Sequence, residues 1–189
     1  MSASRGQRAT TSYKEREKAQ QDPYAMLTAP RGPLVCPQCH AVFAKKRWVL
    51  DEAEFAKLGS ASTTKQAPCP ACRPIRDHYP EGIVALRWPD LDEHEAEIRG
   101  LIVNEETRAL AVNPLARLMK VVTFSKREME IQATSDQLAQ RIGRELVRAF
   151  GGKAAYRWAH KDRLLRVEWA GPSPPAAPRS KGAKGSVPR

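Results

Sequence analysis

The turn Cys36-Pro-Gln-Cys39 is matched further along the chain by Cys69-Pro-Ala-Cys72, and 29 residues separate the two pairs. Each C-x-x-C turn can present two sulfurs to one tetrahedral ion, so two such turns can complete a four-thiolate site. Zinc held in this way has no open coordination position, so it stabilises a fold rather than activating water. The sequence therefore predicts a non-enzymatic binding protein with one structural Zn²⁺, whose ligands are Cys36, Cys39, Cys69 and Cys72.

Other interpretations of the cysteine turns and of the nearby histidines stay open. Cys-Pro-x-Cys also occurs at the active turn of thioredoxin-like oxidoreductases, which use a single pair between a strand and a long helix. The presence of two pairs favours metal over redox chemistry. His40 is an alternative ligand, although a histidine beside such a turn more often lies outside the coordination sphere. His94-Glu95 begins like the metalloprotease helix motif, but the motif is incomplete because position 98 is Ile.

The positive charge is concentrated at the two ends of the chain. The net charge is +11 and the pI is about 9.8, which favours a polyanionic partner. Residues 1–33 hold 6 basic and 3 acidic residues, and residues 171–189 hold 4 and none, which leaves 22 against 18 between them. No apolar run is long enough to span a bilayer, and no secretory signal is recognisable. We therefore expect a cytoplasmic protein whose reduced cysteines bind metal.

We expect an α+β fold in five parts. Residues 1–33 and the basic, proline-rich residues 171–189 carry few large apolar side chains and are predicted to be disordered. Residues 34–80 form the zinc module, a four-cysteine zinc ribbon with a short helix. Residues 81–113 form a connecting strand and helix. Residues 114–170 form a small β-β-α-β-β unit with an antiparallel sheet.

Local patterns predict the individual elements. In the connecting segment, a strand covers 83–87, and a helix capped by Asp90 runs over 91–106. In the β-β-α-β-β unit, strands at 119–125 and 128–134 form a hairpin, and a helix capped by Thr134 ends at Gly151-Gly152. The last two strands form a second hairpin around residues 160–163. Trp158 and Trp169 alternate with Leu165 and Val167, which favours core packing over base stacking.

Two groups of cations suit phosphate contacts. On the last predicted helix, three arginines at spacings i, i+3 and i+7 form one stripe, although a solvated face is the ordinary alternative for such a run. Further cations follow each cysteine turn, a placement that can reach a nucleic-acid backbone. The predicted RNA contacts are Arg141, Arg144, Arg148, Lys45, Lys46, Arg47, Arg73 and Arg76.

The motifs between residues 34 and 170 resemble a little-characterised group of bacterial zinc-ribbon proteins. That group is in turn similar to the N-terminal zinc region of the Nmd-three family, the large ribosomal subunit export adaptors of eukaryotes and their archaeal relatives. The resemblance is carried by Cys36-Pro-Gln-Cys39-His40-Ala41-Val42, Arg47-Trp48, Cys69-Pro-Ala-Cys72-Arg73-Pro74-Ile75-Arg76-Asp77, Tyr79-Pro80-Glu81-Gly82, Asn113-Pro114-Leu115, Thr134-Ser135-Asp136-Gln137-Leu138-Ala139 and Arg141-Ile142-Gly143.

The resemblance implies zinc at the four cysteines and association with RNA or the ribosome. This chain departs from the group at four positions. His40 and Lys46 stand where the group usually has Gly, Pro74 stands where a second basic residue is usual, and Gly152 lies near a usual Lys-Gly turn. The resemblance leaves the activity itself undefined.

From the residues and the resemblance together, we expect a non-catalytic, zinc-dependent RNA-binding protein with the large ribosomal subunit as a candidate target. The main alternative is a zinc-ribbon adaptor that binds another protein without contacting nucleic acid. DNA-binding regulation is less favoured because the arginine stripe lacks base-reading Asn or Gln. We expect neither a membrane nor a small-molecule substrate as a partner.

Overall fold

The computed structural model describes residues 32–61, 63–159 and 164–172. Within these ranges the chain forms four helices and nine strands, and the strands make two separate sheets. The fold is therefore mixed α+β, as predicted. The expected disordered segments fall almost entirely on residues 1–31 and 173–189, which lie outside the described residues.

The first sheet contains four short strands. They are β1 (Leu34–Val35), β2 (Ala41–Ala44), β3 (Arg47–Leu50) and β4 (Lys65–Gln66), in the spatial order β3-β2-β1-β4. Helix α1 (Glu52–Gly59) follows β3, and helix α2 (Cys72–Arg76) follows β4. The Asp51 side chain accepts a hydrogen bond from the Glu54 amide and so caps α1. The short helix predicted within residues 34–80 is confirmed.

The second sheet contains five strands, in the order β6-β7-β5-β9-β8. They are β5 (Gly82–Arg87), β6 (Leu118–Ser125), β7 (Glu128–Ala133), β8 (Lys153–Trp158) and β9 (Leu165–Ala170). The prediction of a wholly antiparallel sheet is wrong, because β5 pairs parallel with β9. Strand β5 is also the centre of this sheet rather than part of a connecting segment. Its apolar run from Ile83 to Leu86 is consistent with that position.

Helices α3 (Glu95–Val112) and α4 (Asp136–Phe150) belong to the second sheet. Helix α3 begins four residues later than predicted, because the Asp92 amide donates to the Lys126 carbonyl of the β6–β7 turn. The predicted cap of α4 is also one residue off. Thr134 donates its hydroxyl proton to the Leu115 carbonyl, so Ser135 caps the helix by accepting from the Leu138 amide.

The sheet and its two helices enclose the larger core, which contains Val84, Ile98, Ile131, Ile142 and Trp169 among its buried side chains. Gly82 allows the start of α4 to approach β5. A Cβ atom at that position would lie 2.5 Å from the Ala139 Cβ and 2.9 Å from the Ser135 carbonyl oxygen. None of the described helices combines the length and apolar character needed to cross a membrane. The predicted turn at 160–163 lies outside the described residues, although β8 and β9 on either side pair antiparallel.

Candidate metal centre and basic surfaces

The four cysteines meet at one end of the first sheet. Their Sγ atoms all lie within 4.8 Å of one another, and those of Cys39 and Cys69 are 3.5 Å apart. Sulfurs around a tetrahedral zinc at 2.3 Å are separated by about 3.8 Å. The structure therefore brings together a four-sulfur group that is positioned to hold a metal ion.

Backbone geometry fixes each sulfur pair. The first pair spans the turn between β1 and β2, where the His40 amide donates to the Cys36 carbonyl at 3.0 Å. The second pair leads into α2, where the Arg73 amide donates to the Cys69 carbonyl at 3.2 Å. Two amides also point at sulfur, since the Cys69 amide donates to the Cys36 Sγ and the Cys72 amide to the Cys69 Sγ. Such donors stabilise negative charge on the sulfurs, as a metal-bound thiolate requires.

The crowding of the sulfurs perturbs their acidity. Hydrogen bonding by the Cys69 thiol lowers the pKa of Cys39 to about 4, and the same contact raises the pKa of Cys69. Burial, together with the neighbouring Cys39, raises the pKa of Cys72 to about 12. The cluster therefore resists carrying several negative charges without a cation, and a bound divalent ion would supply the missing positive charge.

His40 lies beside this group but faces away from it. Its ring stacks on Phe55 with centroids 4.1 Å apart, and its Nδ1 lies 3.1 Å from the Glu52 carboxylate. The alternative in which His40 is a ligand finds no support, because the four-sulfur group does not include it. His40 adopts a φ of +60°, a conformation that glycine takes readily.

The turn between β2 and β3 displays two lysines in a strained conformation. Lys45 and Lys46 have φ values of +50° and +65°, and both side chains are exposed. A two-residue turn with two positive φ values normally takes Asn-Gly or a similar pair. With Arg47 next in sequence, the turn places three cations at the tip of the β2–β3 hairpin.

The arginine stripe on α4 proves to be partly neutralised. Glu105 of α3 is almost completely buried, and its carboxylate accepts two hydrogen bonds of 3.1 Å from Arg141 and one of 2.6 Å from Arg108. Arg148 lies 3.8 Å from Glu145. These groups border an open cavity of about 410 Å³, which is lined by Glu105, Arg108, Arg141, Arg144 and Glu145. Arg141 is therefore first an anchor between the helices, whereas Arg144 is exposed at the cavity.

The cations after the second cysteine turn have other neighbours. Arg76 donates to the Asp77 carboxylate at 2.8 Å. Arg73 borders a mainly apolar cavity of about 320 Å³, which is lined by Leu34, Trp48, Ala67, Pro68, Pro70 and Arg73. Within the described residues, the indole nitrogen of Trp48 is buried without a hydrogen-bond partner.

Sequence reasoning missed the structural roles of three residues near these sites. Glu105 was not singled out, although a carboxylate on the apolar stripe with Ile98, Ile102 and Ala109 was the available signal. Leu115 packs against the cysteine cluster, and Arg117 lowers the pKa of Cys39 by its charge. No sequence pattern indicates that these two residues, which precede β6, lie near the cysteine cluster.

No protein-family model, curated protein or solved structure significantly matches the chain. The family resemblance based on the motifs therefore stays a prediction.

Proposed function

We propose that the chain is a non-catalytic, zinc-dependent RNA-binding protein, with structured RNA of the large ribosomal subunit as its candidate target. Zinc is the ion that best suits the donor set, because four thiolates bind this borderline-soft ion in tetrahedral sites. Four protein ligands leave no coordination position for a substrate. The zinc would then hold the two cysteine turns and the four short strands together as a zinc ribbon.

The observation that carries the RNA-binding part is the turn at Lys45 and Lys46. Each non-glycine residue in the left-handed region costs about 1 to 2 kcal/mol, and such strain is often retained at functional sites. Two adjacent lysines there add positive charge to a position where Asn-Gly would fold more easily. The zinc would stabilise this hairpin and so would hold the two lysines in position for binding.

The α3–α4 cavity supports the same proposal. Each guanidinium group has five N–H donors, and Glu105 uses only part of those on Arg108 and Arg141. The remaining donors, together with Arg144, can reach a phosphate at the cavity mouth. Glu105 and Glu145 reduce the local charge, so this surface would contribute less to affinity than the full stripe would.

The salt dependence of RNA binding tests the proposal. If about five phosphates are neutralised, the slope of log K against log salt is near −3.5 to −4.5. The double variant Lys45→Asn/Lys46→Gly removes two charges while keeping residues that suit the turn, and we expect it to make the slope shallower by about 1.5. Lys57→Gln/Lys126→Gln removes two exposed charges elsewhere and should leave the slope nearly unchanged.

Fluorescence anisotropy with a labelled structured RNA measures both slopes. A wild-type slope near zero, or equal slopes for the two double variants, would refute the assignment of phosphate contacts to the turn. Sedimentation of lysate on sucrose gradients then tests the candidate target. The chain should co-migrate with large subunits at low salt and leave them at high salt.

A protein–protein adaptor is the second candidate, and the apolar cavity beside Trp48 favours it. The cavity has mainly apolar walls, to which Leu34 and Trp48 contribute, and such walls suit an apolar side chain of a partner protein. Pull-down of the tagged chain with and without nuclease separates the two functions. Partners that survive nuclease and are lost in Trp48→Phe favour the adaptor.

A further inference from the structure

Trp158 differs from the other tryptophans of the chain in its exposure. Trp48, Trp88 and Trp169 are 8%, 6% and 1% exposed, whereas Trp158 is 48% exposed. Tyr156, two residues earlier on the same strand, is 38% exposed. The prediction that Trp158 packs in the core is therefore wrong, although the same prediction for Trp169 is confirmed.

Strand β8 explains the exposure of both rings. It lies at the edge of the second sheet and, among the described strands, pairs only with β9, where Tyr156 is opposite Val167 and Trp158 is opposite Leu165. Because Val167 and Leu165 are buried, both rings lie on the side of the sheet that carries the helices. Tyr156 lies against Gly143 of α4, where a Cβ would be 3.2 Å from the Tyr156 hydroxyl. No described aromatic ring stacks on either Tyr156 or Trp158.

The opposite side of the same edge carries exposed cations. Lys153 and Arg157 alternate with the aromatic residues on β8, and Arg166 of β9 is directly opposite Arg157. Like charges in directly opposed positions are unfavourable. Glu168 offsets part of the repulsion through a 3.4 Å contact with Arg157. An anion at this edge would relieve the rest.

We infer that the β8 edge is a binding site for single-stranded RNA, an inference that rests on the proposed RNA-binding function. Unpaired bases stack on Trp158 and Tyr156, and phosphates contact Lys153, Arg157 and Arg166. The Cα atoms of residues i and i+2 in a strand are about 6.6 Å apart, which is close to the space that one base needs between two rings. Stacking accepts every base, whereas a duplex keeps its bases inside the helix. The site therefore prefers unpaired RNA without strong sequence specificity.

Intrinsic fluorescence provides a direct test, because Trp158 is the exposed indole among four. The zinc-loaded full chain is titrated with an oligouridine and with an RNA duplex of equal length. Anisotropy of the labelled RNA reports total binding, and tryptophan emission reports stacking. We expect oligouridine to quench the emission to a plateau, and we expect Trp158→Phe to remove most of that quenching. Trp158→Ala should weaken oligouridine binding roughly 5- to 100-fold and leave duplex binding nearly unchanged.

Phe124→Ala is the matched control, since Phe124 is 64% exposed on β6 at the other edge of the sheet. It should change neither quenching nor affinity. Arg166→Gln gives an independent readout and should make the salt slope for oligouridine shallower by about 0.7.

The outcomes separate this inference from the proposed function. If RNA binds by anisotropy but Trp158 is not quenched and Trp158→Ala binds normally, the stacking site is refuted while the RNA-binding function stands. If neither RNA binds, both fail. Loss of a nuclease-resistant protein partner in Trp158→Ala, with RNA binding intact, would assign the edge to a protein instead.

Discussion

The two sheets of this protein are stabilised by different means. The buried cluster of the first sheet has seven residues, and three of them are the cysteines Cys36, Cys69 and Cys72. The cluster of the second sheet has eighteen buried residues and no cysteine. Small units with little apolar area to bury usually need a metal or disulfides, whereas a larger core can support itself. We therefore expect the first sheet to depend on a metal ion held by its cysteines, and the second sheet to be stable without one.

The largest expected effect follows from removing one buried sulfur. With the proposed zinc, Cys69→Ser removes one of the four ligands and should abolish stoichiometric metal binding. The first sheet would then lose the stabilisation by structural zinc, which is roughly 10 to 16 kcal/mol of apparent binding free energy in such modules. Peptide-resolved hydrogen exchange should show loss of protection over residues 34–76 and retained protection over 82–158. His40→Ala, which changes the neighbouring residue outside the sulfur group, should keep the metal. Equal loss of protection in both sheets would show that the second sheet also depends on the metal.

The reciprocal change removes core volume from the second sheet. Leu146 is fully buried on α4, so Leu146→Ala should lower the free energy of unfolding of this region by about 2 to 5 kcal/mol. The zinc content should stay at the wild-type level. Val103→Ala on the exposed side of α3 is the control and should cost less than about 0.5 kcal/mol. Metal loss in Leu146→Ala would show that the metal group needs the second core.

Glu105 links the two helices of the second sheet by its charge. Glu105→Gln keeps the size of the side chain but removes the carboxylate that Arg108 and Arg141 share. We expect a loss of about 1 to 2 kcal/mol in a urea titration, since both guanidinium groups remain partly solvated. Glu145→Gln, at the same cavity, should change stability by less than about 0.5 kcal/mol. If Glu105→Gln also costs less than about 0.5 kcal/mol, the ion pairs of Glu105 do not stabilise the fold.

The smallest effect should have the opposite sign. Lys46→Gly relieves a left-handed lysine, so it should stabilise the first sheet by about 0.5 to 1 kcal/mol. It should also weaken RNA binding, because it removes a charge from the hairpin tip. Metal-release titrations and anisotropy measure the two effects separately. Lys57→Gly, in the exposed last turn of α1, is the control and should destabilise. A variant that is both more stable and equally tight in RNA binding would remove Lys46 from the proposed surface.

Much of the fold could be predicted where local chemistry determines it. The spacing of the cysteines predicted a single group, and Gly151-Gly152 predicted the end of α4. Tertiary pairing was less visible. Nothing in the run Ile83–Leu86 shows that it pairs with β7 and β9, because an apolar strand suits any position in which both faces are covered.

The errors at single residues have a common cause. Thr134 has the right spacing for a cap, but its hydroxyl is used by a carbonyl nineteen residues away. Trp158 has the alternation of a core residue, but it stands on an edge strand. Arg141 has the spacing of an exposed stripe, but a buried carboxylate from another helix holds it. In each case a distant element decided the outcome, which a local pattern cannot reveal.

The four cysteine sulfurs are proposed to hold one zinc ion. X-ray absorption spectroscopy of the purified full chain at the zinc edge tests it most directly, because the spectrum identifies the element, the donor atoms and their distances. We expect one zinc per chain with four sulfurs at about 2.3 Å. A first shell containing nitrogen or oxygen, or a chain purified in zinc-containing medium without stoichiometric zinc, would contradict it.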